Sequence, residues 1–277
     1  GLCLSAYWVH ISSMSPVTLI SSKPVPQPEG GPPALFDRRL LVRRRDRAAH
    51  AFQDYDFLHA RAADDLLDRV ESVTRDFDTC LVLGGGGAIG RALADRPGAR
   101  SKINHLIETD LSPRMARLSD QTAVCLDEEA LPLAPQSVDL VISCLNLHWT
   151  NDIVGALIQI NHALKPDGFF AGALLGGATL TELRQSFQKV TDEDPAPRRV
   201  SPFADTVDMA GLLSRAGFTL PVSDVDRVKA RYGNSFVLMR DLRAMGETNA
   251  LYDRPRTPGT KSLFVKTAQA YAEAFAE

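Results

Sequence analysis

From Thr79 onward, short apolar runs alternate with stretches of helical period, and this alternation constrains the fold more than any other feature. "TCLVLG" precedes a helix from Ile89, and "INHLIET" precedes "SPRMARLSD"; "TAVCL" and "VDLVISCL" lead into the helix "DIVGALIQINHAL". After a turn at "KPDG" come "FFAGALL" and the helix "TLTELRQSFQKV". Strands that are apolar on both sides and separated by helices predict an α/β chain, a mostly parallel sheet with helices on both faces. A further helix "TVDMAGLLSRAG", ending at Gly217, leads to a less buried strand "VSDVDRVKARY". Helices over "SFVLMRDLRAMG" and "KSLFVKTAQAYAEAFAE" close the chain.

In such a sheet ligands bind beyond the carboxyl ends of the strands, near the point where strand order reverses. The first strand ends in "LVLGGGGAIGRAL", where successive glycines let a backbone approach a ligand closely. Two frames overlap. Gly85, Gly87 and Gly90 satisfy G-x-G-x-x-G, the dinucleotide pattern of NAD(P)-dependent oxidoreductases. Gly84, Gly86 and Ala88 approximate the G-x-G-x-G turn that holds S-adenosylmethionine (SAM). The second strand ends "ETDLSP", with Glu108 and Asp110 lying 18 and 20 positions beyond Gly90. Either suits a carboxylate gripping two ribose hydroxyls, which both ligands need. The third strand end separates the frames: Asp127, Glu128 and Glu129 offer an acid for an adenine amino group, which the SAM reading requires and the dinucleotide reading does not. At the fourth strand end "SCLNLHWTND" places Asn146 and His148 beneath a transferring group, with His148 a candidate general base.

With 277 residues, 44% of them hydrophobic, the chain has ample core, and a formal net charge of −3 argues against a dedicated nucleic-acid binder. The arginines of "DRRLLVRRRDR" read more readily as a solvated helix face than as a docking surface. Cys3, Cys80, Cys125 and Cys144 form no C-x-x-C pair; the last three lie in strand-like runs as small buried hydrophobes, so neither a disulfide framework nor a metal site is expected. No run approaches the length of a membrane span.

Residues 34–73 carry helical periodicity, with Leu58, Ala62, Leu66 and Val70 forming one apolar face, and are expected to form a lid near the pocket. Ahead of them, "GLCLSAYWVHISS" begins without methionine, which suggests a natural start at Met14, and the Pro- and Gly-rich stretch that follows predicts a disordered tail over residues 1–33.

"LVLGGGGAIG", "ETDLS", "DEEALPL" and the spaced series "LHWTND", "LKPDGFF" and "GGATLTELR" resemble the class I SAM-dependent methyltransferases. Within that class they are similar to the mitochondrial complex I assembly factor 5 family and its bacterial relatives, with the malonyl-carrier-protein methyltransferases of biotin synthesis more distant. The resemblance covers about residues 35–252 and implies a Rossmann-like sheet over residues 79–277 with SAM as cofactor. It places Gly84, Gly86, Ala88, Asp110, Leu111, Asp127 and Glu128 around that cofactor and Leu145 and Asn146 at its methyl end, with Asn146 and His148 the catalytic candidates. Val82 and Ala88 depart from the pattern, replacing an acid before the glycines and the third glycine. The same resemblance implies two alternatives, hydroxylation of an arginine on a respiratory complex I subunit and a non-catalytic assembly role. No His-x-Asp or His-x-Glu pair is present to suggest an iron triad. A bacterial chain of this kind would be cytoplasmic, and a eukaryotic one would sit in the mitochondrial matrix. The family sheet has a seventh, antiparallel strand between the fifth and sixth. This sequence stops at Glu277 before it, so a C-terminal truncation is expected, leaving either a gap or direct pairing of "VSDVDRVKARY" with "FFAGALL".

Overall fold

The structure, a computed structural model, describes residues 2–13, 34–191, 198–202 and 206–275. Strand β1 (Leu2–Ser13) comes first, followed by helices α1 (Arg38–Ala48), α2 (Phe52–Tyr55) and α3 (Phe57–Ser72). The alternating part then runs β2 (Phe77–Gly84), α4 (Ala88–Ala94), α5 (Pro97–Lys102), β3 (Ile103–Asp110), α6 (Pro113–Ala116) and β4 (Thr122–Cys125). It continues through β5 (Val138–Cys144), a single 3-10 turn at Leu147–Trp149, α7 (Ile153–Ala163), β6 (Leu164–Leu175) and α8 (Thr181–Lys189). Helix α9 (Thr206–Arg215), β7 (Phe218–Ala230), α10 (Ser235–Ala244) and α11 (Lys261–Phe275) complete it.

The strands form one sheet in the order β4-β3-β2-β5-β6-β1-β7. Neighbours from β4 to β6 are parallel, as both-side-apolar strands joined by helices demand. Successive side chains go to opposite faces, so Cys80 and Val82 join a core with α3, α4, α8 and α10, whereas Leu81 and Leu83 join a second core with α7 and α9. Strand order reverses between β2 and β5, whose ends meet at the Gly84–Cys144 pair.

Three expectations need correction. First, the front of the chain is not wholly irregular: β1 lies antiparallel between β6 and β7, pairing Ala6–Ser12 with Leu175–Phe169 on one side and with β7 on the other. It takes the place expected of a missing seventh strand, so there is neither a gap nor direct β6–β7 pairing. Of the expected tail, residues 14–33 lie outside the described residues. Second, "KPDG" is not a free turn. Strand β6 runs through it from Leu164, with Asp167 at φ +59° and a register shift opposite Val138–Leu140. Third, residues 34–73 are not a single segment set over the pocket, because the Leu58–Val70 face of α3 is buried in the main core.

Cys80 and Cys144 are buried, but Cys125 is exposed because β4 is the outer strand of the sheet. None of the described helices is long and apolar enough to cross a membrane.

Deleting residues 1–13 would strip the amide ladders of β6 and β7 and leave two open strand edges. The expected outcome is a melting temperature lower by more than about 5 °C, with aggregation on heating. An unchanged melting curve by circular dichroism would place β1 outside the sheet.

Candidate functional site

Gly84, Gly85, Gly86 and Gly87 all take left-handed φ, from +54° to +87°, which only glycine adopts without strain. Three of them are also closely approached, Gly87 by the Leu118 carbonyl, to which a Cβ would come within 2.8 Å. A Cβ at Gly84 would stand 2.6 Å from the Asn146 side chain, and one at Gly86 would stand 2.5 Å from the Phe52 ring. The turn thus meets the end of β5 on one side and α2 on the other. Ala88 opens α4, its N–H donating to the Gly85 carbonyl at 3.0 Å.

Glu108 and Asp110 separate cleanly. Glu108 points into α4: Oε1 accepts from the Gly90 N–H at 2.9 Å and Oε2 from the Ser119 hydroxyl. Gly90 is therefore a packing position for Glu108, where a Cβ would come within 2.7 Å of that carboxylate. Asp110, at the strand end, accepts from the Ser112 N–H at 2.8 Å and forms a two-pronged pair with Arg45, Nε to Oδ1 at 3.1 Å and Nη2 to Oδ2 at 2.6 Å. Both partners of this pair are 1% exposed at the side chain.

Just past the end of the neighbouring strand β4, Arg38 holds the third-strand acids, at 2.6 Å from Asp127 and 2.8 Å from Glu128. Burial raises the Glu128 carboxyl above its ordinary pKa against the pull of Arg38. The expectation of a solvated arginine face therefore holds for only part of α1. Arg39, Arg43 and Arg47 are exposed, four residues apart, but Arg38 and Arg45 turn inward alongside Leu41 and Ala48. Asp37 caps this helix, accepting from the Leu40 N–H at 3.0 Å, and the segment before it bridges Phe36 to Leu251. Leu111 packs on the resulting Phe36, Leu41, Trp149, Ala250 and Leu251 cluster.

At the end of β5, Leu145 is buried at φ +47°, a strained position for a branched residue. It sets Asn146, also buried, beside Gly84. His148 is not offered to this gap. Its Nε2 lies 3.1 Å from Glu247 Oε2, the same oxygen that accepts the Trp149 indole N–H at 3.0 Å. Burial alone would raise the Glu247 carboxyl; His148, through charge and hydrogen bond, then His59 and Arg45, hold it below its ordinary value. Sequence reasoning missed Glu247. Its one local signal is Gly246 at φ +81°, which ends α10 and turns the following Glu247 inward, its N–H returning to the Leu242 carbonyl at 2.8 Å. Sequence reasoning also missed His59. This residue is fully buried edge-on to Phe52, and burial pushes its pKa down to about 4. Among the described residues no cluster of His, Cys, Asp or Glu is arranged to hold a metal ion.

The family described as "Methyltransferase domain" matches residues 81–172, the span from the glycine strand through β6. The arginine-hydroxylase NDUFAF5 of Danio rerio is 38% identical over 229 residues, 79% of this chain and 70% of that protein. The malonyl-[acyl-carrier protein] O-methyltransferase of Methylovorus sp. (strain MP688) is 33% identical over 256 residues, 87% of this chain and 83% of that one. The chain belongs to this methyltransferase family. Among solved structures, the Haloferax volcanii protein in complex with the Trm112 methyltransferase activator is 22% identical with a TM-score of 0.46, covering 66% of this chain and 76% of that one.

Two outcomes follow from these burials. Arg45→Met leaves the Asp110 carboxylate buried without a partner and is expected to cost about 3–5 kcal/mol of stability, most of it regained in the Arg45→Met/Asp110→Asn double variant. Denaturant unfolding of the four proteins measures this directly, and simple additivity would deny the pairing. His59 supplies the second. Its folded pKa lies below the unfolded value of 6.5, so the stability it contributes is complete above pH 6.5 and is lost as pH falls towards 4. That loss, on the order of 3 kcal/mol, should shrink in His59→Leu when unfolding is followed across this window.

Proposed function

We propose that this chain transfers a methyl group from SAM, held between the glycine turn and the ends of β3, β4 and β5. The observation that carries the reading is the run of four left-handed glycines meeting Asn146, with Asp110 and Asp127–Glu128 at the next two strand ends. These donor and acceptor types suit the ligand: backbone without side chains for the methionine end, and carboxylates for ribose hydroxyls and an adenine amine. Bound there, SAM supplies a methyl carbon made electrophilic by its sulfonium. The protein's part is positioning. Leu145 and Asn146 would define the floor of the methyl end, and Glu247 fixes the orientation of His148 and Trp149 behind it. Asp110 already carries Arg45, so ribose hydroxyls would share this carboxylate with the guanidinium or displace it.

The relatives named arginine-hydroxylases support a second reading, in which this chain modifies an arginine with oxygen. An arginine-bearing subunit of respiratory complex I is the first acceptor to test, and mass spectrometry of such a peptide separates gain of a methyl from gain of one oxygen atom.

Thermal-shift titration tests the cofactor. SAM should raise the melting temperature by mass action, NAD should not, and Asp110→Asn should weaken the SAM response at least tenfold, an expected loss of about 1.4 kcal/mol or more. Stabilisation by NAD alone would overturn the reading.

A further inference from the structure

Behind Trp149 lies a cavity of about 310 Å³ that none of the sequence-derived site residues line. Its walls are apolar, formed by Leu175, Leu180, Leu183, Phe187, Met239 and Leu242 among others. Glu247 and Trp149 belong both to this lining and to the His148 cluster, so the cavity abuts the end of β5.

The polar part of the lining is unbalanced. Arg44, Arg199, Arg243 and Arg254 face a single acid, Glu247. Arg254 is committed to Asp37 at 3.2 Å, but among the described residues no carboxylate forms an ion pair with Arg44, Arg199 or Arg243. Glu247 offsets them only in part: Oε2 is shared by His148 and Trp149, and the buried Arg45 already acts on the same carboxylate, whereas Oε1 has no hydrogen-bond partner among the described residues. Crowding of positive charge is felt at Arg44, whose guanidinium is lowered by burial and then by Arg254 and Arg47. Other lining side chains have unmet hydrogen-bonding capacity: the Thr179 and Ser201 hydroxyls and Arg199 Nε are buried without partners. A cavity of this size is at the small end of those that hold ligands. Apolar walls with surplus cations fit a molecule with an aliphatic body and an anionic head, and oppose one that ends in a cation.

We infer that this cavity is the acceptor's room and that it takes a small acid, its apolar body against Leu183, Phe187 and Leu242 and its carboxylate among Arg44, Arg199 and Arg243. The cavity's role as acceptor site rests on the methyl-transfer reading; its preference for an acid does not. A guanidinium side chain would meet three arginines that have no ion-pair partner among the described residues, against a single carboxylate.

Three probes sharing one body test the preference: octanoate, octanol and octylguanidinium, titrated by calorimetry into the full chain. Octanoate should bind at least about tenfold more tightly than octylguanidinium, with an affinity that falls as salt rises. Arg243→Glu, at an exposed position and therefore benign to folding, should weaken octanoate about tenfold and leave octanol unchanged. Equal or tighter binding of octylguanidinium, no binding by any of the three, or an Arg243→Glu variant that binds octanoate normally would each overturn the inference. SAM titrated into the same samples is read separately: its failure removes the methyl-transfer reading and leaves the measured charge preference standing.

Discussion

The Arg45–Asp110 pair is the contact on which the rest of the site depends. A guanidinium and a carboxylate at 1% exposure survive only together, because either left alone in the interior costs several kcal/mol. Asp110 is fixed at the end of β3, a strand paired on both sides, so Arg45 fixes α1, and α1 in turn brings Arg38 onto Asp127 and Glu128. Chain segments far apart in sequence are thereby tied together. The residues before α1 bridge to Leu251, and Phe36, Leu41 and Leu251 pack against Trp149 at the end of β5. Replacing the pair by well-packed apolar residues would keep the fold but remove the carboxylate that gives the strand end its chemistry.

A second buried charge does comparable work nearby. Glu247 ties the loop after β5 to the loop after α10 through one oxygen shared by His148 and Trp149. The two anchors have the same logic. In each, a carboxylate brought by one element satisfies donors brought by another, and burial makes the arrangement specific because a partial version is worse than none. His148 is consequently a held residue, and the side chain that meets the glycine turn at this strand end is the buried Asn146, beside Gly84.

Strands β2 to β7 were legible because their signal is local. Apolar runs of strand length mark β2 to β5 within a residue or two, whereas β6 begins five residues and β7 four residues ahead of the stretch expected for it. The acids of the site were legible for the same reason, since in this architecture a strand end is a place that sequence can point to. Their partners were not. Six arginines in "DRRLLVRRRDR" look alike in sequence, and only the position of the sheet decides that Arg38 and Arg45 turn inward while Arg39, Arg43 and Arg47 stay in water. Glu247 and His59 were invisible because burial without a local partner leaves no pattern. Strand β1 carries Tyr, Trp, Val and Ile, residues that favour a sheet, yet its neighbour in the sheet is more than 150 positions away and the prolines that follow suggested a tail.

Helix geometry links the two ends of the site. Consecutive residues on α1 differ by about 100° in direction, so Arg44 and Arg45 leave the helix on different sides. Arg45 reaches the acid at the end of β3, whereas Arg44 lines the cavity behind Trp149 and donates to the Asn249 carbonyl. The same short helix therefore closes over the strand-end acids and forms part of the wall of the adjoining cavity. A ligand that drew Asp110 away from Arg45 would loosen the helix that presents Arg44, and an anion held by Arg44 would steady the helix that presents Arg45. The two places are joined by α1 and also by the Trp149–Glu247 contact, which belongs both to the cavity wall and to the end of β5.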